Sequence, residues 1–224
     1  MDYQELDRYI DTIGPERVVA GIAPFLTEAR RGAIDRVLGA RLNSLHVAVE
    51  RPEDPYNAAA LVRTAEAMGV LHVHVVGAEH GTLHARRTTQ GSFNWLHTTH
   101  HVELDSLFRV LRARGVKLCG AVMDASCAIE DLPVTAPLCL LFGNEKTGLS
   151  DEALAACDLR FRVPMVGMSE SLNLSVSAAI AMYVTSSALR KQLGAQSDLD
   201  AAAALRERAR YYARSVDLRL LQGL

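Results

Sequence analysis

A predicted helix over residues 57–69, "NAAALVRTAEAMG", carries an amide and a guanidinium that could bind a ligand. Its apolar residues recur with helical spacing and form one stripe, which we expect to face the core. Arg63 lies about 200° around the helix from Leu61, at ~100° per residue, and so points away from that core. Two plainer interpretations stay open: Arg63 pairs with Glu66 one turn on, and Asn57 is the N-cap of the helix.

The segment "LLFGNEKTGL" (140–149) ends an apolar run in a turn that holds two glycines and a carboxylate. It is not a Walker A phosphate loop, because that loop needs Lys and then Ser or Thr directly after its second glycine, whereas Leu149 follows Gly148. Gly143 allows close approach of a backbone or a ligand. Glu145 follows a predicted parallel strand, and α/β proteins bind ligands at the carboxyl ends of such strands. A plain turn that requires glycine is the alternative.

The segment "VPMVGMSESLNLSVSAA" (163–179) repeats this order of strand, irregular loop and helix, and its loop holds Ser171 and Asn173. The part "GMSES" differs from the nucleophile elbow GxSxG only in Ser171, where the last Gly should be, and the spacing nominates no partner His or acid. We therefore interpret it as a loop. No GxGxxG follows the first predicted strand, which argues against a nucleotide-binding Rossmann domain.

The elements that would position these loops alternate along the chain. Apolar runs of strand length lie at 45–50, 71–76, 116–122, 138–142 and 159–163, and segments with helical period lie between them. This alternation predicts an α/β fold with a mainly parallel sheet. Gly69, Gly115 and Gly194 each follow a helical segment, where a left-handed C-cap would lie.

The 224 residues, 49% hydrophobic and with a formal net charge of −2, are ordinary for a folded protein with one principal domain. No apolar stretch is long enough to cross a bilayer, and the acidic start "MDYQELDRYI" lacks a signal-like apolar region, so we expect a cytoplasmic protein.

The four cysteines show no CxxC spacing and are expected to be free thiols. His72 and His74 share one face of a strand, but no third ligand accompanies them, so we expect no metal and a half-exposed strand.

Two helical extensions flank the predicted core. Residues 1–42 include "EARRGAIDRVLGAR", with Arg30 and Arg31, and residues 201–224 include "LRERARYYARS". The second carries Arg206, Arg208, Arg210 and Arg214. A solvated helix face and an RNA-binding surface explain these arginines about equally well. The net charge does not decide between them, because charge can be local.

Taken together, the three loop segments resemble the three motifs of the SpoU/TrmH family, in the SPOUT class of RNA ribose 2′-O-methyltransferases. The first motif matches Asn57, Arg63-Thr64-Ala65 and Gly69; the second matches "LLFGNEKTGL"; the third matches "PMVGMSESLNLSV" (164–176). "GSFNWL" (91–96) and "GNEKTG" (143–148) further resemble the TrmH branch, whose members methylate the D-loop guanosine of tRNA. The acidic segment 1–27 has no counterpart in this resemblance.

The resemblance implies a deep trefoil knot in the C-terminal part of an α/β domain, a homodimer, and S-adenosylmethionine bound among the knot loops without a metal. It places the catalytic domain at 43–194, between an N-terminal helical extension at 1–42 and a basic C-terminal helix at 195–224. The cofactor would lie on backbone groups around six residues: Ala121, Leu141, Gly143, Val163, Met165 and Leu172. The arginines of the two extensions would bind the RNA.

The resemblance also assigns roles to the site residues. Arg63 would activate the 2′-hydroxyl, with four residues holding it and the loops in place: Asn57, Glu145, Ser171 and Asn173. A free arginine, with a pKa of about 12.5 or above, is a poor base, so we favour phosphate binding and orientation of the hydroxyl; whether Arg63 takes the proton stays open. The expected substrate is the D-loop guanosine (position 18) of tRNA. Another tRNA site, ribosomal RNA, or a non-catalytic RNA-binding protein with this fold are the alternatives.

Overall fold

The structure is a computed structural model that describes residues 3–77, 91–135 and 137–223. The chain divides into two compact units. One unit comprises Met1–Arg41 and Gln196–Leu224, and the other comprises Leu42–Ala195. The two terminal extensions thus belong to the same unit, although they are far apart in sequence.

The terminal unit is helical. Its helices are α1 (Tyr3–Ile13), α2 (Pro15–Ile22), α3 (Glu28–Leu38) and, from the C-terminal segment, the helix Ala201–Arg214, with short 3-10 turns at Ala23–Phe25 and Leu218–Gly223. The helix Ala201–Arg214 packs against all three N-terminal helices. Tyr211 and Tyr212 are buried in this unit.

The central unit holds a six-stranded sheet with helices on both faces. Its strands are β1 (Leu42–Glu50), β2 (Val70–Val76), β3 (His97–His101), β4 (Lys117–Ala121), β5 (Leu138–Phe142) and β6 (Leu159–Phe161). Its helices are α4 (Pro55–Met68), α5 (Leu104–Ala113), α6 (Asp151–Ala156) and α7 (Leu174–Leu193), with 3-10 turns at Ser92–Trp95 and Ile129–Asp131. The helix Ala201–Arg214 is therefore α8.

Every strand pair in the described sheet is parallel, in the order β3-β2-β1-β5-β4-β6. This confirms the predicted α/β class with a mainly parallel sheet. The chain adds β2 and β3 on one side of β1 and then crosses to the other side, so the strand order reverses between β1 and β5. In parallel sheets such a reversal opens a crevice beyond the carboxyl ends of the strands. The loops after Glu50 and Phe142 lie at this crevice.

Two apolar layers hold the sheet between its helices. Leu61 of α4 and Met182 of α7 are fully buried in the larger layer, with Val47 and Leu140 from the sheet. Leu107 of α5 belongs to the smaller layer on the opposite face. Burial of one such side chain contributes about 1.5–3 kcal/mol, so these layers stabilise the packing of the helices on the sheet.

The ends of the helices are defined by local hydrogen bonds. Asp54, not Asn57, is the N-cap of α4: its side chain accepts a hydrogen bond from the backbone N–H of Tyr56. Ser150 caps α6: its side chain accepts a hydrogen bond from the backbone N–H of Ala153. Gly69 and Gly194 follow their helices with φ of 79° and 64°, the left-handed conformation expected of them.

None of the helices in the described ranges is long and apolar enough to cross a membrane. All four cysteines are free. Within the same ranges, no group of three or more His, Cys, Asp or Glu side chains is arranged to hold a metal ion.

Candidate active site

Glu145 lies at the crevice, in the loop that follows β5, and its carboxylate joins that loop to the start of α4. Oε2 accepts a hydrogen bond from the backbone N–H of Glu53 at 2.9 Å, and Oε1 accepts one from the backbone N–H of Asp54 at 3.4 Å. The side-chain amide of Asn57 donates a further hydrogen bond to Oε1 at 2.9 Å. The carboxylate thus receives three donors from a segment about ninety positions away in sequence.

The hydrogen bonds from these donors lower the pKa of Glu145. Partial burial acts to raise its pKa, but the hydrogen bonds from Asn57 and from the backbone of Glu53 and Asp54 outweigh burial, and the pKa lies below its usual value. Glu145 is therefore an anion at neutral pH. An anion with three hydrogen-bond donors is suited to holding the loop in place and not to donating a proton.

The hydrogen-bonded chain continues from Asn57 into the third motif. Oδ1 of Asn57 accepts a hydrogen bond from the side-chain amide of Asn173 at 3.0 Å. Oδ1 of Asn173 in turn accepts from the backbone N–H and the hydroxyl of Ser175, at 2.8 and 2.6 Å, and caps α7. Three of the predicted site residues, Glu145, Asn57 and Asn173, are thus brought into direct contact.

The loop between Gly143 and Gly148 closes on itself. The backbones of Asn144 and Gly148 exchange two hydrogen bonds, of 3.0 and 2.9 Å. A Cβ at Gly143 would lie 2.1 Å from the carbonyl carbon of Gly148, so only glycine permits this approach. The sequence left open whether Gly143 admits a backbone or a ligand; the group that comes close is the backbone of the same loop.

Two residues that the sequence analysis missed anchor this loop to the end of β1. The side chain of Asn144 donates to the backbone carbonyl of Arg51 at 2.7 Å and accepts from the backbone N–H groups of Lys146 and Thr147. The buried carboxylate of Glu50 accepts from the backbone N–H of Ser150 at 3.0 Å. A single acidic residue at the end of the apolar run "LHVAVE" was the available signal for Glu50.

A cavity of about 770 Å³ lies beside this loop. Five of the six residues predicted to hold the cofactor line it: Ala121, Gly143, Val163, Met165 and Leu172. Leu141 does not line the cavity; its side chain is buried in the smaller apolar layer. Glu145 and Ser171 line the cavity, and both also line a smaller pocket of about 350 Å³ that includes Asn57 and Asn173.

Arg63 is placed differently from the other predicted catalytic residues. It is exposed on α4 and lines neither of these two cavities. It makes no hydrogen bond or ion pair with any residue in the described part of the chain, so the pairing with Glu66 that the sequence left open does not form. Its guanidinium is free to take a partner from outside the chain.

Residues 44–183 match the sequence profile of the SpoU rRNA Methylase family. The chain belongs to the SpoU rRNA Methylase family. It is an RNA methyltransferase by this membership, and the three segments that carry its site fall within the matched region.

Relatives of this SpoU-family chain agree with that assignment. A tRNA (guanosine(18)-2′-O)-methyltransferase of Thermus thermophilus is 39% identical over 158 residues, which cover 70% of this chain and 81% of the relative. The crystal structure of the A. aeolicus TrmH/SpoU tRNA modifying enzyme superposes with a TM-score of 0.73 at 27% identity, covering 85% of this chain and 98% of that one. The SpoU methyltransferase AviRb from Streptomyces viridochromogenes, in complex with the cofactor AdoMet, has a TM-score of 0.60 at 26% identity, covering 71% and 64%.

Three of the six arginines predicted to bind RNA have carboxylate partners within the terminal unit of this SpoU-family protein. Arg206 of α8 donates two hydrogen bonds to Asp11 of α1, at 2.8 and 3.0 Å, and Arg208 pairs with Asp35 of α3 at 2.9 Å. Arg210 is 1% exposed and pairs with Glu207 at 2.8 Å. A buried guanidinium with a carboxylate partner cannot reach a phosphate without breaking that pair, so Arg210 is structural here.

The remaining predicted arginines differ in exposure. Arg30 is exposed on α3, and its guanidinium donates to the hydroxyl of Ser215 at 3.1 and 3.2 Å. Arg31 and Arg214 are half-buried. Arg30 is therefore the member of the predicted set that is best placed for contact with RNA.

Proposed function

We propose that this SpoU-family protein methylates the ribose 2′-hydroxyl of guanosine 18 in tRNA, with S-adenosylmethionine as the methyl donor. The observation that carries the proposal is the hydrogen-bonded chain from Glu145 through Asn57 to Asn173, which ties all three motifs together beside a cavity of about 770 Å³. The relative at 39% identity supports the choice of tRNA guanosine 18.

The cavity fits the proposed donor. Its volume lies within the range of about 300–1,000 Å³ that small-molecule sites occupy, and its wall combines apolar side chains with the exposed backbone of a glycine loop. Glu145 and Glu170 place carboxylates in a wall that would face a positively charged donor. When bound, S-adenosylmethionine supplies a methyl group on a cationic sulfur.

The chain's own residues would act mainly by positioning. Glu145 holds the loop of residues 143–148 against α4, and Asn57 and Asn173 fix the start of α7 relative to α4. We assign Arg63 to an RNA phosphate and to the orientation of the 2′-hydroxyl, because it is exposed and free of partners in the described chain. Orientation of this kind accounts for a large part of the rate of group transfer.

A homodimer is part of the proposal. Several large apolar side chains at one end of the sheet and on α7 are exposed: Met165, Val166, Met168, Leu172, Val176 and Tyr183. Exposed apolar patches of this kind mark interaction sites, and a second copy would cover them. Because Arg63 lines neither of the two cavities described above, a second copy can also bring its Arg63 to the pocket. Mixing protomers that carry Arg63→Ala with protomers that carry Asn173→Ala should restore activity if Arg63 acts across the dimer.

The trefoil knot is likewise proposed for residues 121–174. After β6, at one edge of the sheet, the chain pairs Arg162 with Ala128 of the segment that follows β4, and then returns to the sheet centre, where Asn173 contacts Asn57. This course supports threading of the chain behind the segment that follows β4.

We also propose that the protein acts in the cytoplasm, where its tRNA substrate is, and that Arg30 and Arg31 contribute to RNA binding.

Methylation of unmodified tRNA transcripts with labelled donor tests the proposal. Nucleoside analysis should yield 2′-O-methylguanosine, mapped by mass spectrometry to position 18, and a transcript with adenosine at that position should remain unlabelled. Labelling of ribosomal RNA fragments with no labelling of tRNA would overturn the choice of substrate. Binding of tRNA without binding of S-adenosylmethionine would overturn the proposed activity.

A further inference from the structure

Arg162, the residue directly after β6, is bonded through both its backbone and its side chain to the segment of residues 122–129. Its backbone N–H donates to the carbonyl of Cys127 at 2.9 Å, and its carbonyl accepts from the N–H of Ile129 at 2.8 Å. Its Nη1 donates to the carbonyl of Ser126 at 2.7 Å and to the carbonyl of Ala125. A single residue therefore holds four consecutive or near-consecutive positions of this segment.

The two stretches that Arg162 joins both line the donor cavity. Ala121, Val122 and Met123 line it from the segment after β4. The residues 161–165, with Arg162 among them, line it from the end of β6 and the loop that follows. Beyond Arg162, the backbone N–H of Val122 donates to the carbonyl of Phe161 at 2.8 Å, at the point where the two stretches leave the sheet.

The segment of residues 122–128 has few backbone hydrogen bonds of its own. It contains neither strand nor helix, and its own backbone contributes one turn, from the N–H of Ala125 to the carbonyl of Val122. Met123 at its tip is 59% exposed. Hydrogen bonds from a guanidinium are charge-assisted and stronger than those between neutral groups, so Arg162 supplies a large share of the order of this wall.

The side chain of Arg162 has no carboxylate partner among the described residues. Its orientation is set by main-chain carbonyls, which no change of protonation near neutral pH removes. Arg160, two residues earlier, makes a similar but single contact: its Nη2 donates to the carbonyl of Leu154 at 2.8 Å, and Arg160 does not line the cavity. Arg160, on β6 two residues before Arg162, is thus a matched comparison.

We propose that Arg162 is a positioning residue for the methyl donor: it fixes the segment of residues 122–129 as a preformed wall of the cavity. The inference rests on the proposed function, in that the cavity is taken to hold S-adenosylmethionine. A wall that is ordered before binding saves the entropy that a mobile wall loses when the ligand binds, and so increases affinity. The effect should therefore fall on binding of the donor and not on the methyl transfer itself.

The experiment compares wild type with Arg162→Ala, Arg162→Lys and the control Arg160→Ala. Calorimetry with S-adenosylhomocysteine, the product form, should show affinity about tenfold weaker for Arg162→Ala, partly restored in Arg162→Lys and unchanged within about twofold in Arg160→Ala. Hydrogen exchange in the peptide that spans residues 122–129 should be faster in Arg162→Ala without ligand. In methylation assays, KM for the donor should rise while kcat at saturating donor stays within about twofold.

Each outcome bears on the proposal. Wild-type affinity together with unaltered exchange in Arg162→Ala would overturn it, and so would a loss of kcat with an unchanged KM. If Arg162→Ala does not give a cooperative unfolding transition, the test uses Arg162→Lys and Arg162→Gln, the second of similar length but without the charge. Wild-type affinity and exchange in Arg162→Lys then favour the proposal only if Arg162→Gln is impaired. Failure of the wild-type protein to bind S-adenosylhomocysteine would instead refute the proposed function, whereas the exchange measurement tests the contact itself.

Discussion

The side-chain amide of Asn173 donates a hydrogen bond of 3.0 Å to the side chain of Asn57, 116 positions away in the chain. Each amide in this chain of contacts donates toward Glu145: Asn173 to Asn57, and Asn57 to the carboxylate. The anion therefore fixes the orientation of both amides. The start of α7 is positioned relative to α4 by this polar chain, as well as by apolar packing.

Asn57→Asp should reduce turnover, because it replaces the donor to Glu145 with a second carboxylate at hydrogen-bond distance. Repulsion between the two carboxylates would displace the loop of residues 143–148 or force one of them to take a proton. We expect kcat to fall by about ten- to a hundredfold near pH 7, with partial recovery at lower pH as the pair takes up a proton. Gln192→Glu, an equivalent charge change at an exposed position of α7, is the control. Equal rates for both variants near pH 7 would exclude this role of Asn57.

Glu145→Ala should slow turnover by at least about tenfold and loosen the loop, because two backbone N–H groups and one amide lose their acceptor. Hydrogen exchange of the peptide that contains residues 143–148 measures the loss of order directly. The pKa of Glu145 lies below its usual value, so its contribution to stability is present above the unfolded-state pKa of about 4.3 and is lost as the pH falls below it. Wild-type kinetics in this variant would reduce Glu145 to an ordinary turn residue.

Arg63→Ala should abolish methylation while leaving affinity for S-adenosylhomocysteine within about twofold, since Arg63 does not line the cavity. Arg63→Lys keeps a charge but loses the planar fork of donors and should recover only part of the rate. Arg109→Ala, which removes an exposed helical arginine outside the site, serves as the control. Methylation by Arg63→Ala at the wild-type rate would show that the assignment is wrong.

The sheet and the three loops could be predicted because their signals are local: apolar runs of strand length, helical periods and glycine-bounded turns. The partners of the charged residues could not. Arg206 and Asp11 are 195 positions apart, and Arg208 and Asp35 are 173 apart, so neither pair follows from helical spacing. The run "LRERARYYAR" reads as a solvated or RNA-binding face, yet Arg210 is buried with Glu207. Packing between segments from opposite ends of the chain decides which arginines remain available.

The burial of a row of histidines in the sheet was also not predicted from the sequence. The sequence places His72 and His74 on one strand face that we expected to be half-exposed, whereas both are buried. His74 is hydrogen-bonded to His46 at 3.1 Å and to His101 at 3.0 Å, and His101 continues to the hydroxyl of Ser106. Neutral rings with one donor and one acceptor each can satisfy such a row, which explains how a buried sheet face accommodates them.

These histidines should make stability depend on pH. Burial, the largest cause, lowers the pKa of His46 to about 3 and the pKa of His72 and His74 well below the usual value. Below pH ~6.5 the unfolded chain therefore binds protons that the folded chain excludes, and stability falls with the pH, by up to about 1.4 kcal/mol per unit for each such histidine. Unfolding by denaturant at pH 7, 6 and 5 measures this slope, and His74→Gln should make it shallower. A constant free energy of unfolding over this range would contradict the buried neutral row.

Arg206 and Arg30, both in the terminal unit, are expected to have different roles: a structural role for Arg206 and RNA binding for Arg30. Arg206 is paired with Asp11, and the hydrogen bond from Arg206 lowers the pKa of that carboxyl, so Arg206→Ala should lower stability by about 0.5 kcal/mol, as expected for a partly exposed pair. Asp11→Ala should cost a similar amount, and the double variant less than the sum. Neither change should alter the salt dependence of tRNA binding. Arg30→Ala should reduce the slope of log K against log salt by about one, because each phosphate contact contributes about 0.7–0.9. A reduced slope in Arg206→Ala and an unchanged slope in Arg30→Ala would reverse the two assignments and place the RNA on α8.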